Sequence, residues 1–130
     1  MATVPEKYAD LFKFDKRVFA YLALVMKDGN PQVTPLWFDY DGKDIIVNTA
    51  RGRVKDKILR RHPTVAMVIQ DPEDPYRYVQ VRGKVVEETE EGGYDMISHL
   101  NQKYHGTPDY PKRPGEVRVT YRIAPEHFSR

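Results

Sequence analysis

Residues 44–61 read Asp44-Ile-Ile-Val-Asn-Thr49-Ala-Arg-Gly-Arg53-Val-Lys-Asp-Lys-Ile-Leu-Arg-Arg61, an apolar run that passes through a glycine into a cationic segment. The first part has the β-branched character of a strand, Asp44 to Asn48. The second, with Val54, Ile58 and Leu59 at helical spacing, reads as a helix with those three residues facing the core. Arg51, Arg53, Lys55, Lys57, Arg60 and Arg61 stand against Asp56 alone, six cations to one acid, while the whole chain carries a formal charge of only +2. The charge is therefore placed. A helix opening just after Thr49 aims unpaired backbone N–H groups and its dipole at a bound anion, with phosphate the obvious guest. The competing reading is an ordinary solvated face of an amphipathic helix.

Working outward, the flanks are rich in strand and turn signals. Val4 to Phe12 suits a short opening helix, and Arg17 to Met26 is a β-favouring run closed by Lys27-Asp28-Gly29-Asn30. Gln32 to Tyr40 reads as the second strand of that hairpin, with Pro35 implying a bulge or an unpaired edge. Asp41-Gly42 turns into the strand at 44–48. After the basic helix His62-Pro63 forces a stop. Thr64 to Gln70 reads as a fourth strand, Asp71 to Pro75 as a loop, and Tyr76 to Val86 as a long fifth strand with Gly83 at a bulge. Glu87, Glu88, Glu90 and Glu91 read as dipole partners before a helix at Tyr94 to Tyr104. A Pro-rich loop then leads to a last strand, Glu116 to Ile123. Six mainly antiparallel strands with two or three short helices favour a small closed or split barrel over a doubly wound parallel sheet.

At 130 residues, the chain reads as one domain, 1–130, long enough to bury a real core. It has no cysteine, which excludes disulfides and thiolate chemistry and accords with a reducing, cytoplasmic location. The first ten residues lack the apolar core of a signal peptide, and no run has the length of a membrane span. Ser98 and Ser129 sit in no nucleophile elbow, and neither a dinucleotide fingerprint nor a Walker loop occurs. His62, His99, His105 and His127 lack metal-ligand spacing. With no side chain equipped to run a reaction beside a prepared anion site, a bound cofactor is the expected source of chemistry.

Three ordered fragments carry a family resemblance. They are Asp28-Gly29-x-Pro31-Gln32-Val33-Thr34-Pro35-Leu36-Trp37, then Ile46-Val47-Asn48-Thr49-x-x-x-Arg53-x-Lys55-x-x-x-Leu59-x-Arg61-x-Pro63-x-Val65, then Val81-x-Gly83-x-Val85, with Arg122-Ile-x-Pro125 as the ending. Together they resemble the flavin-binding split barrels related to pyridoxamine 5′-phosphate oxidase, and most of all the deazaflavin (coenzyme F420)-dependent reductases of actinobacteria. The resemblance implies a six-stranded split barrel that forms a homodimer with the cofactor groove at the subunit interface. It gives Thr49, Arg53 and Lys55 the cofactor phosphate, with Asn48 beside them. Gln32, Val33, Thr34 and Pro35 would lie against the tricyclic ring. Tyr76, Tyr78 and Trp37 become aromatic walls near ring or substrate.

The deazaflavin coenzyme carries carboxylates beyond its phosphate, and the surplus cations Arg51, Lys57, Arg60 and Arg61 match that longer anion. The implied activity is hydride transfer from reduced coenzyme F420 to an electron-poor, conjugated organic molecule, with no catalytic side chain of its own. An FMN-dependent oxidoreductase or flavin carrier is the alternative in the same fold. A nucleic-acid-binding barrel, with Tyr76, Tyr78 and Trp37 stacking on bases, is the alternative from another class. Pyridoxamine phosphate oxidation is not implied, since Arg118-Val-Thr-Tyr-Arg122 lacks the expected Arg-x-His arrangement.

Overall fold

The computed structural model describes residues 2–130. A short 3-10 helix, Glu6–Phe12, precedes β1 (Ala20–Val25), β2 (Pro31–Leu36), β3 (Asp39–Tyr40) and β4 (Ile45–Ala50). Helix α1 (Val54–Arg61) follows, then β5 (Thr64–Asp71), β6 (Asp74–Thr89), α2 (Gly93–His105) and β7 (Arg118–Ser129). The seven strands form one sheet in the order β2-β1-β5-β6-β7-β4-β3. All its pairings are antiparallel.

The expected six strands are thus seven. The run 32–40 breaks in two after Leu36, so that β2 pairs with β1 while the two-residue β3 crosses to β4. Trp37 and Phe38 sit in the break, and Phe38 is fully buried. Pro35 lies opposite Tyr21 with no bulge, which an edge strand permits because one row of its N–H groups has no ladder partner.

The 16-residue β6 ties the two halves together. It pairs with β5 along one edge and β7 along the other, and its register against β7 shifts at Arg82/Gly83 and Val85/Glu87. Such bulges add bend and twist, so the sheet curls around its own apolar face. Helix α1 packs on both β1 and β4, spanning the space between the two halves. The core inside the curl includes Leu22, Met67, Ile69, Val79, Val119, Tyr121 and Ile123.

Two expectations need correction. Val54 is not a core residue but 47% exposed, because the helix starts there and its first turn overhangs the core; Asp56 turns inward in its place. Glu87 and Glu88 are not helix-start acids. They lie within β6, where Glu87 pairs with Arg122 and Glu88 with Arg51 and Arg60.

The outer face of β1 and β2 is apolar. Tyr21, Ala23 and Val25 stand directly opposite Pro35, Val33 and Pro31, and cross-strand partners share a face. Val33 is 63% exposed, and Phe19, Tyr21 and Val25 are exposed as well. Among the described residues no helix is long and apolar enough to cross a membrane.

Candidate functional site: an anion grip where two hollows meet

The turn between β4 and α1 is built on a buried carboxylate. Asp56, 1% exposed, accepts hydrogen bonds from the Gly52 amide at 3.0 Å, Arg51 Nη1 at 2.9 Å and the Tyr121 hydroxyl at 2.6 Å. Burial alone would raise its pKa, but these donors together hold the carboxyl below its usual range. They tie the start of α1 to β7 and fix the turn that presents Arg53. No side chain caps α1, so its first amides stay available to a ligand.

Thr49, Arg53 and Lys55 come together at that helix start. A hollow of about 250 Å³ is lined by these three with Asn48, Arg118 and Tyr110, and on its apolar side by Phe19, Pro35, Leu36, Trp37, Ile97 and Leu100. A second hollow, lined by Gln32, Gly52, Val54 and the same Thr49, Arg53 and Lys55, adjoins it. The trio is shared by both. Burial, and after it the neighbouring Arg53, lower the Lys55 pKa. Among the described residues Gln32 Oε1 and Thr34 Oγ1 are buried without a hydrogen-bond partner; Gln32 lines the second hollow, whereas Thr34 lines neither.

Not every sequence-expected residue joins this cluster. Arg51 is committed to Asp56, Glu88 and Glu90, and those contacts raise its already high pKa. Arg60 pairs with Glu88 at 3.3 Å. The six-cation surplus of the sequence is therefore partly neutralised by acids of β6 and the turn after it, which no local reading of 49–61 reveals. Lys57 and Arg61 are exposed and line neither hollow. Val33 points to the outer face, in register with Ala23. Tyr76, 82% exposed, and Tyr78 stand on β6 outside both hollows, where Arg130 approaches the Tyr78 ring at 5.6 Å.

Trp37 does line the apolar wall of the first hollow. It stacks on Tyr104 at 5.2 Å and 8°, and the Tyr104 hydroxyl is locked by donating to Val18 O at 2.5 Å and accepting from Phe38 N at 3.2 Å. Asn48 works indirectly: its amide donates to Gly93 O and Thr120 Oγ1, which turns Oδ1 towards Arg118 Nε at 2.8 Å. Gly93 allows this, since a Cβ there would lie 2.2 Å from Arg118 O. Phe19, Ile97, Leu100, Tyr110 and Arg118 had no sequence signal as site residues. They reach the hollow from four separate segments, and only the register of β7 on β4 and the packing of α2 bring them in.

The site fits a phosphate-bearing group with a flat, partly apolar body. A hydroxyl, a guanidinium, an ammonium and open helix amides border the same hollow, and apolar residues line its other side. No curated protein matches the chain. Among solved structures, one described as an F420 reductase is 34% identical, covers 97% of this chain and 98% of its own, and superposes with a TM-score of 0.85. A putative pyridoxamine 5′-phosphate oxidase from Listeria innocua shares the fold at 20% identity, with 95% and 94% coverage and a TM-score of 0.71. A FAD-binding protein from Mesorhizobium loti does so at 20% identity, 98% and 94% coverage and a TM-score of 0.65. The sequence profile described as pyridoxamine 5′-phosphate oxidase runs along residues 4–129, from before the opening helix to the end of β7, and with that span the chain belongs to this family.

Proposed function

We propose that the protein is a coenzyme F420-dependent reductase, acting as a homodimer on a small, electron-poor, conjugated organic substrate. The observation that carries the proposal is the convergence of Thr49, Arg53 and Lys55 on the uncapped start of α1, at the junction of the two hollows. Similarity to an F420 reductase along almost the full length of both chains favours the deazaflavin. Reduced coenzyme F420 supplies the hydride, and the chain supplies binding, orientation and exclusion of water.

Within that reading Thr49, Arg53 and Lys55 hold the phosphate. Gln32, on the wall of the second hollow, and the neighbouring Thr34 of β2 lie along the ring edge. The substrate lies against Trp37, Phe19, Ile97 and Leu100, where a dry wall favours conjugated apolar molecules. A second copy covers the outer face of β1 and β2, whose exposed Tyr21, Val25 and Val33 would otherwise remain in water, and brings its own aromatic residues to the groove.

An FMN-dependent oxidoreductase or flavin carrier is the second reading, favoured by a grip sized for a single phosphate. A nucleic-acid track is disfavoured because Glu88 and Glu90 neutralise Arg51 and Arg60. Fluorescence titration with coenzyme F420 and with FMN, at low and high salt, separates the readings. F420 should bind more tightly, and its advantage should shrink with salt, because exposed charges are screened over about 8–10 Å near physiological ionic strength. Equal affinities with equal salt responses would promote FMN.

A further inference from the structure

The Pro-rich loop between α2 and β7 encloses a hollow of about 290 Å³, lined by Tyr94, Lys112, Arg113, Glu116 and Arg118. The loop is stiff by sequence. Pro108, Pro111 and Pro114 each fix a backbone angle, and Arg113-Pro114-Gly115-Glu116 closes with Glu116 N donating to Arg113 O at 3.1 Å and Gly115 at φ +76°. Proline second and a left-handed glycine third are what a type II turn demands. The Tyr94 hydroxyl donates to Tyr110 O, pinning the loop to α2. The backbone that carries Lys112 and Arg113 at the rim of the pocket is thus pre-ordered.

Arg118, which lines both this hollow and the first, is the second sign of a ligand. Its side chain is only 5% exposed, yet its one short hydrogen bond is Nε to Asn48 Oδ1 at 2.8 Å. Nη1 reaches Glu116 Oε1 and the Tyr110 hydroxyl only at 3.5 Å. A buried guanidinium with five donors ordinarily meets close acceptors. Lys112 rests over the Tyr94 ring at 4.6 Å, and among the described residues no carboxylate pairs with Lys112 or Arg113. Glu116 lies between the grips, 3.6 Å from Arg53 Nη2 on one side and 3.5 Å from Arg118 Nη1 on the other. The phosphate grip and this hollow are therefore separated by one carboxyl group, with Arg53, Lys112, Arg113 and Arg118 set against a single acid.

We propose that this hollow is a second anion site, which takes a carboxylate carried a short way beyond the phosphate held by Thr49, Arg53 and Lys55. The inference rests on the cofactor reading above and deepens it. It moves the contact with the coenzyme's carboxylate tail from Lys57 and Arg61 on α1 to Lys112, Arg113 and Arg118 around the loop. Glu116 sets the selectivity: its charge competes with a weakly held anion and leaves a surplus only for one that reaches both sides.

The test is fluorescence titration of tail-bearing coenzyme F420 and of FMN against four folded proteins: wild type, Lys112→Glu/Arg113→Glu, Lys57→Glu and Glu116→Gln. The double reversal should weaken F420 about tenfold while leaving FMN within about twofold, Lys57→Glu should do less, and Glu116→Gln should tighten F420. The proposal is overturned if the double variant binds F420 like wild type, or loses F420 and FMN equally. Wild type that binds FMN and ignores F420 overturns the cofactor reading itself, whereas wild type that binds F420 normally alongside an unaffected double variant overturns only the second site.

Discussion

Tyr121 of β7 donates its hydroxyl to the buried Asp56 Oδ1 of α1 at 2.6 Å, so the turn that presents Arg53 hangs from the sheet. Tyr121 is itself fully buried, and burial followed by the adjacent Asp56 carboxylate pushes its own pKa up. Tyr121→Phe leaves that carboxylate short of a donor and should cost about 1–3 kcal/mol, read as a lower urea midpoint. Cofactor affinity should fall with it, because Gly52 and Arg53 lose their anchor. Full stability in the variant would contradict this account of the turn.

The same carboxyl sets an acid limit. In the folded protein Asp56 titrates below its ordinary 3.8, since its three donors outweigh its burial. A depressed carboxyl contributes stability that is complete above the unfolded value and lost as pH falls through the folded one. Stability should therefore decline below about pH 4, near the unfolded carboxyl value. Asp56→Asn should be less stable at neutral pH and lose that part of the acid dependence, as unfolding curves at stepped pH would reveal.

Arg53→Ala and Lys55→Ala should each weaken cofactor binding about ten- to a hundredfold, the equivalent of one lost charge-assisted contact. Both side chains are at least partly exposed, so thermal unfolding should barely move. Calorimetric or fluorescence titration decides, and unchanged affinity in both variants would remove the phosphate assignment. Arg51→Ala should behave in the opposite way, losing stability more than affinity, because its guanidinium is spent on Asp56, Glu88 and Glu90.

That contrast marks where the sequence was readable. The strand passing into a basic helix, the hairpin at Asp28-Gly29, the stop at His62-Pro63 and the bulge beside Gly83 all rest on local chemistry, and the structure has each of them. The meeting of Thr49 with Arg53 and Lys55 was equally local. Arg51 could not be sorted from Arg53 by spacing, because two of its three acids lie 37 and 39 residues away on or just after β6. Arg118 and Tyr110 were invisible for the same reason. The seventh strand was missed because two residues, Asp39 and Tyr40, are too few to show a period of their own.

Lys103 gives an alkaline counterpart. It is buried, donates to Phe38 O at 2.9 Å and lies 4.4 Å from the Phe38 ring. Burial brings its pKa down to about 8, against the opposing pull of Asp39 and Asp15. A base depressed below its unfolded 10.5 binds fewer protons folded than unfolded between those values, so stability from this group should rise with pH from about 8 to 10.5. Lys103→Met should abolish that rise relative to wild type, measured as urea midpoints across the range. Parallel curves for the two proteins would place the ammonium in water.

The outer face of β1 and β2 offers the last test. Val33 stands at 63% exposure between Pro31 and Pro35, directly opposite Ala23. A lone surface valine accepts a charge at little cost, within about 0.5 kcal/mol. In a dimer the same position is desolvated, and an unpaired carboxylate there costs several times more. Val33→Glu should therefore leave secondary structure intact while shifting light-scattering mass from twice the 15.2 kDa chain towards the single chain at micromolar concentration. Cofactor affinity should fall in parallel, because a groove shared between copies loses one wall. Wild type that runs at the single-chain mass would defeat the dimer proposal. A dimeric Val33→Glu protein would move the interface elsewhere on the sheet.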